Sequence, residues 1–353
     1  MRVAITIQHP GHVHFFKHAI AELRAAGHEV HVFSRENEVT ATLLSAYDID
    51  HEILAGASTS LPSLARVQAT YETRLLVRAW HLDLDVIAAI GGVAASHVAA
   101  ATGARSVVFY DTEHASVIKR LAYPFADEVC TPRCYAEDVG DKHVRYPGYH
   151  ELAYLHPDRF SPDESVLDEA DIDPDETLVV CRFSSWDSSH DVGQGGFDDI
   201  AEVVERLEDA GATVQLTAEI DLPPRLASRE LSVAPERMHD LLYYADLSVG
   251  EGATTAAESA LLGTPAVYVN SLELGYTTEL DEEYGLVFAY HGRDRHAAGI
   301  DRAVELVEAA DDGEQWRRRR ADVLADKRDV TDVVVERILA ADTRPRERPR
   351  LTA

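Results

Sequence analysis

ADLSVGEGATTAAESALLGTPAVYVN, residues Ala245 to Asn270, is the stretch that decides the reading of this chain. Leu247 to Val249 is a short apolar run that enters a small-residue turn, Gly250-Glu251-Gly252-Ala253. A helix opens near Thr254, carries Glu258 in its first turns and stops at Gly263, before Thr264-Pro265 leads into a second strand, Ala266 to Val269. Strand, glycine-rich turn, helix and strand in this order expose backbone N–H groups and the positive end of a helix dipole at one spot. Such a spot attracts an anion. A carboxylate a little further along the helix suits a sugar hydroxyl beside that anion, so the pairing points to a nucleotide-sugar diphosphate, against the plain alternative of an unliganded βαβ turn.

The same alternation runs outward from this segment. In the first half, strands are expected at Val3–Ile7, Glu29–Phe33, His51–Leu54, Val86–Ile90, Ser106–Tyr110 and Glu128–Thr131. Helices fall between them at Val13–Ala26, Asn37–Tyr47, about Leu61–Leu82 and Ala94–Thr102. Val13, Phe16, Ile20 and Leu23 share one face of the first helix. Leu152 to Glu176, with Pro157, Pro162 and Pro174 among acids, breaks the rhythm and reads as a connection. Strands resume at Leu178–Cys181 and Thr213–Thr217, and late helices fill Gln315–Asp326 and Val330–Ala341. Short links between alternating elements imply parallel sheets with right-handed crossovers. The fold class is therefore α/β, with two doubly wound, Rossmann-like domains facing across a cleft. The expected divisions are 1–152, a connection at 153–176, a second domain at 177–342 and a disordered Arg/Pro tail at 343–353.

Length and charge set bounds. At 353 residues the chain suits two domains. Thirty-three Lys+Arg against 62 Asp+Glu give a net charge of −29, and only Lys17, Lys119, Lys142 and Lys327 are lysine. An acidic excess with so little lysine fits a salt-filled cytoplasm, and a field this negative argues against nonspecific nucleic-acid binding. Cys130, Cys134 and Cys181 make no disulfide framework, as expected in a reducing compartment. Cys130-x3-Cys134 with His143, and the His14/His18 pair, have loose metal-ligand spacing, so neither a metal nor another cofactor is expected. No signal peptide or membrane-spanning run is evident. The expected location is cytoplasmic, with the Arg317–Arg320 run leaving room for a peripheral contact with the inner membrane face.

Two motifs carry a resemblance. Gly252-Ala253-x-Thr255-x-x-Glu258 followed by Ala260-x-x-Gly263-x-Pro265 resembles the donor-binding segment of GT-B glycosyltransferases, above all the N-acetylglucosaminyltransferase that makes the lipid intermediate of peptidoglycan. Met238-His239-Asp240-Leu241-Leu242-Tyr243-Tyr244-Ala245-Asp246 looks like the segment preceding it there. Pro10-Gly11-His12-Val13 resembles that enzyme's Gly-Gly-His-Val turn. As a whole the chain looks most like an uncharacterised prokaryotic family of GT-B-like proteins, a domain of unknown function. The resemblance implies that Gly252, Ala253 and Thr254, with Thr255, bind a diphosphate, that Glu258 binds ribose and that Met238 lines a uracil pocket. It also places Gly11 and His12 on the acceptor side, with a UDP-linked sugar as donor and an unknown, lipid-linked acceptor in view. Glu251 stands where the transferase has serine, and Pro10 replaces a glycine.

Other residues are read from position. His12 sits at a strand-to-helix turn and, with an ordinary pKa near neutrality, suits a general base, against a capping or packing role. Asp111-Thr112-Glu113-His114 follows a strong strand, and its position resembles the His-x-Glu-Ala-Gly segment of UDP-N-acetylglucosamine 2-epimerases, with Glu113 matching the glutamate. The opposing reading is a helix cap by Asp111 or Thr112. Those epimerases have an aspartate after the preceding strand, where this chain has Gly91-Gly92-Val93. Arg182, Ser184 and Ser185 end the first strand of the second half and suit a diphosphate, while Gly193, Gly195 and Gly196 suit a mobile lid. His150-Glu151 is read as structural. A transferase, an epimerase and a non-catalytic nucleotide-sugar binder all remain open.

Overall fold

The computed structural model describes residues 1–58, 61–183, 195–218, 222–231, 233–309 and 313–342. Two compact units divide the chain, Met1–Tyr154 with Arg328 onward, and Leu155–Lys327.

The first unit opens with β1 (Arg2–Ile7), α1 (Pro10–Ala25), β2 (Glu29–Arg35), α2 (Glu38–Ala46), β3 (Glu52–Ala55) and α3 (Leu61–Leu82). It continues with β4 (Val86–Ile90), α4 (Val93–Thr102), β5 (Arg105–Phe109), α5 (Ser116–Ala122), β6 (Glu128–Pro132) and β7 (His143–Tyr146). Its seven strands pair in the order β3-β2-β1-β4-β5-β6-β7, every pair parallel. Strands covered by helices on both faces must be apolar throughout, and Val3, Ala4, Ile5 and Ile7 of β1 are fully buried. Pro10 starts α1 at a position where its missing N–H costs nothing, and His9 caps the helix. The face predicted for α1 is the buried one: Val13, Phe16, Ile20 and Leu23 are at most 1 % exposed.

After α6 (Leu152–Leu155) and α7 (Ser165–Glu169) come β8 (Leu178–Phe183), α8 (Ile200–Asp209), β9 (Thr213–Ala218), α9 (Met238–Tyr244), β10 (Leu247–Gly250) and α10 (Ala253–Leu262). The second unit closes with β11 (Ala266–Val269), α11 (Gly275–Glu282), β12 (Val287–Tyr290), α12 (Arg295–Glu308) and α13 (Glu314–Asp326). Its sheet runs β12-β11-β10-β8-β9, again all parallel. Each sheet grows outward in both directions from an early strand, so each has a switch point, at β1/β4 in the first unit and β8/β10 in the second. In open parallel sheets, ligands bind beyond the carboxyl ends of the strands at such points.

Two boundaries differ from the sequence reading. The proline-rich segment after Leu155 is folded onto α9: the Asp163 amide donates to Asp240 Oδ1 at 3.0 Å, and Arg237 reaches Glu169 at 3.3 Å. The last helix, α14 (Val330–Asp342), belongs to the first unit rather than to the second. Val330, Val334 and Ile338 of α14 are fully buried, Thr331 Oγ1 donates to Ala153 O at 2.7 Å, and Arg337 pairs with the buried Glu128 at 3.1 Å. The expected tail from residue 343 lies outside the described residues. Among the described residues no helix is long and apolar enough to cross a membrane. Ile338→Ala should lower unfolding free energy by about 2–5 kcal/mol through the cavity it leaves. Chemical denaturation measures this, and a change below about 0.5 kcal/mol would contradict the packing of α14.

Candidate functional site

In the second unit, β8 and β10 lie side by side in the register Gly250↔Arg182. A Cβ on Gly250 would stand 2.6 Å from the Arg182 carbonyl oxygen, so only glycine permits this approach. The chain then turns through Glu251, whose amide donates to Arg182 O at 3.2 Å, and enters α10 at Ala253. Gly252 is the N-cap residue and brings no side-chain hydrogen bond to the helix end. The aliphatic part of the Arg182 side chain runs alongside, its Cδ 4.0 Å from the Cβ position of Gly252. Thr255 is buried, Thr254 is exposed, and Gly252 and Ala253 are half-buried.

Glu251 is not turned toward that helix end. Its carboxylate is buried beneath the loop at Gly195–Phe197, where Oε1 accepts the Phe197 amide at 2.7 Å. A Cβ on Gly196 would meet this same oxygen at 2.1 Å. The Glu251 carbonyl accepts from Asn270 Nδ2 at 2.8 Å. Through its carboxylate and its carbonyl, Glu251 therefore ties the turn to two neighbouring segments.

Glu258 lies on α10 about 7.5 Å along the axis from Ala253. It is 8 % exposed, and its Oε1 is 2.9 Å from Nε2 of the buried His239 on α9. Sequence reading quoted His239 only as part of a motif and assigned it nothing; a histidine followed by an acid gives no hint of a partner on another helix. Met238, at the start of α9, is half-buried beside it. Ser184, predicted to share the anion with Arg182, lies outside the described residues, as do Ser185 and Gly193.

In the first unit the chemistry gathers at the carboxyl ends of β1, β2 and β5. Gly11 does not offer its amide to a ligand, because that N–H donates to His9 Nδ1 at 3.2 Å. His12 Nδ1 accepts a long hydrogen bond from the Gln8 amide, 3.4 Å. Burial, then the neighbouring His9 and His150, with Arg35 adding and Asp111 opposing, push the His12 imidazole down to about 3. The near-neutral base expected from sequence is thus an unprotonated, weak one at neutral pH.

Asp111, not Glu113, is the carboxylate that meets these histidines. Its Oδ2 is 3.0 Å from His150 Nδ1, and Thr112 Oγ1 donates to its Oδ1 at 2.9 Å. Burial works to raise the Asp111 carboxyl, but the charge and hydrogen bond of His150, with Thr112, hold it below the usual range. Glu113 turns to the Ala136 amide at 3.4 Å and is not among the groups acting on His12. Neither Asp111 nor Thr112 caps the next helix, since α5 starts at Ser116 with Ala115 before it. His150, read from the sequence as structural, is 7 % exposed and is the imidazole that Asp111 orients.

A family model described as "Protein of unknown function (DUF354)" matches residues 1–342. The chain belongs to the DUF354 family. It is 24 % identical over 287 residues to the uncharacterized protein MJ0665 of Methanocaldococcus jannaschii, covering 77 % of this chain and 82 % of that one. Among solved structures, the UDP-GlcNAc 2-epimerase from Neisseria meningitidis, bound to UDP-GlcNAc, superposes with a TM-score of 0.69 at 12 % identity, over 96 % of this chain and all of that one. The glycosyltransferase SsfS6 of Streptomyces sp. SF2575 superposes with a TM-score of 0.60 at 13 % identity, over 95 % and 99 %. Identities this low establish the fold, and this DUF354 protein has the GT-B fold.

Two outcomes follow. Glu251→Ala leaves the buried Phe197 amide unpaired and should destabilise the protein by about 1–3 kcal/mol, whereas Glu251→Gln, which retains an acceptor, should cost less than half as much. Equal losses by chemical denaturation would show that this hydrogen bond is unimportant. An unfolded chain protonates residue 12 below pH 6.5, while the folded one does not until about pH 3, so stability rises with pH across that window. His12→Gln should flatten the fall in stability between pH 6.5 and pH 4 by up to about 1.4 kcal/mol per unit; an unchanged slope would contradict the depressed pKa.

Proposed function

We propose that this DUF354 protein is a glycosyltransferase that takes a sugar from a nucleotide-sugar donor, UDP-linked, and delivers it to an acceptor held by the first unit. The observation that carries the reading is the first turn of α10. It stands at a sheet switch point, free of a side-chain cap at Gly252, with Arg182 alongside and the carboxylate of Glu258 further along the same helix. The amides of Ala253, Thr254 and Thr255 would meet the diphosphate, and the helix dipole with the Arg182 guanidinium would stabilise the charge that develops on the leaving group. His239 holds one oxygen of Glu258 and leaves the carboxylate oriented for ribose hydroxyls. In the first unit, His12 would accept the hydrogen bond of the acceptor hydroxyl.

An isomerase reading receives less support. Gly91-Gly92 follows β4 where an acid would be wanted, and Glu113 is engaged with the Ala136 amide away from His12. The resemblance to an epimerase and to a transferase alike speaks for the fold, so the choice rests on these residues.

A carboxylate accepting charge-assisted hydrogen bonds from a ribose is worth about 1.5–3 kcal/mol, which is roughly ten- to a hundred-fold in Kd. Glu258→Ala should weaken UDP binding by that factor in calorimetry while the folded protein persists; unchanged affinity would remove the donor site from α10. Incubated with UDP-N-acetylglucosamine alone, the protein should yield no second epimer by NMR, and accumulation of one would replace the transferase with an isomerase.

A further inference from the structure

The segment from Phe160 to Glu169, read from the sequence as part of a connection, is fastened to α9, whose His239 meets Glu258. Seven residues are too few for a helix to hold itself, and the N-cap residue Arg237 gives α9 no side-chain cap. The last turn is secured by Thr264, whose hydroxyl reaches the carbonyls of Leu242 at 2.7 Å and Ala245 at 3.2 Å.

The first turn carries His239 and is secured by other groups. The buried Asp240 accepts the Asp163 amide on Oδ1 at 3.0 Å and Arg237 Nη1 on Oδ2 at 2.7 Å. The same guanidinium donates to Ser165 Oγ at 2.8 Å and to Glu169 Oε2 at 3.3 Å. Phe160 meets the ring of His239 nearly at right angles, with centroids 6.4 Å apart. A hydrogen bond weakens steeply as its partners move apart or out of line, so the 2.9 Å contact of His239 Nε2 with Glu258 Oε1 depends on where this turn sits. Chains of hydrogen bonds and packed rings carry such a displacement from one end to the other.

We propose that Arg237 and Phe160 are positioning residues of the nucleotide site, which through His239 set the Glu258 carboxylate for the ribose hydroxyls. This rests on the reading of Glu258 as the ribose contact. The claim is selective: loosening the segment costs affinity at the ribose hydroxyls and leaves the diphosphate contact at α10 alone. It also gives a regulatory role to a segment that the chain enters just after the second unit begins at Leu155. An ordered segment favours the bound ribose, and by linkage a bound ribose favours the ordered segment.

The test is calorimetry of the full chain with UDP and, separately, with 2′,3′-dideoxy-UDP, which keeps the diphosphate and lacks both hydroxyls. Arg237→Gln and Phe160→Leu should each weaken UDP binding about three- to ten-fold and leave dideoxy-UDP binding unchanged. Added to Glu258→Ala, Arg237→Gln should cost nothing further. Arg225→Gln, at an exposed ion pair with Glu205 in the same unit, should change neither affinity. The His239 Nε2–H resonance in ¹H–¹⁵N NMR reads the fastening without any nucleotide and should shift in Arg237→Gln. An unchanged UDP affinity in Arg237→Gln, or equal losses for UDP and its dideoxy form, overturns the inference while the donor site stands. If Arg237→Gln does not fold, Phe160→Leu carries the same comparison. If Glu258→Ala leaves UDP binding as it was, the donor reading falls and takes the ribose role with it; a shifted His239 resonance then keeps the positioning of Glu258, and an unshifted one removes that too.

Discussion

The backbone contact between Gly250 and Arg182 is the constraint on which the second unit's candidate site depends. No side chain fits between the two strands there, because a Cβ would stand 2.6 Å from a carbonyl oxygen. That closeness fixes where α10 begins. Glu251 then secures the turn by taking the Phe197 amide with its carboxylate and the Asn270 amide with its carbonyl. Gly252, the N-cap residue, brings no side-chain cap of its own to the helix end. Glu251, which stands where the transferase has serine, is what holds this turn in place.

In the second unit the N-terminus of α10 lies beside the Arg182 side chain in a strongly acidic chain. In the first, Asp111 holds the buried His150 at 3.0 Å. Fixed dipoles and buried partnered groups act without the reorganisation that a mobile surface charge requires, which is why such arrangements suit charge that develops during a reaction.

Strands buried on both faces were legible because they read as unbroken apolar runs: Val86–Ile90 and Ala266–Val269 have the expected bounds. β7 and β12, four-residue strands at the edge of their sheets, were not singled out. The allegiance of α14 was invisible because periodicity shows that a helix has an apolar face and not what covers it. The strand, glycine turn and helix from Leu247 to Leu262 were legible as a local motif. The pairings of His239 with Glu258 and of His150 with Asp111 were not, because no spacing along the chain brings those partners together. His12 was read from position, yet its titration depends on neighbours and burial that only the fold supplies.

The most direct measurement compares UDP with uridine by amide NMR at Gly252, Ala253, Thr254 and Thr255. If the first turn of α10 holds the diphosphate, UDP shifts these four amides to saturation and uridine leaves them in place. If UDP binds while these amides do not move, or if uridine moves them as far as UDP does, the diphosphate lies elsewhere and the proposed donor site is wrong.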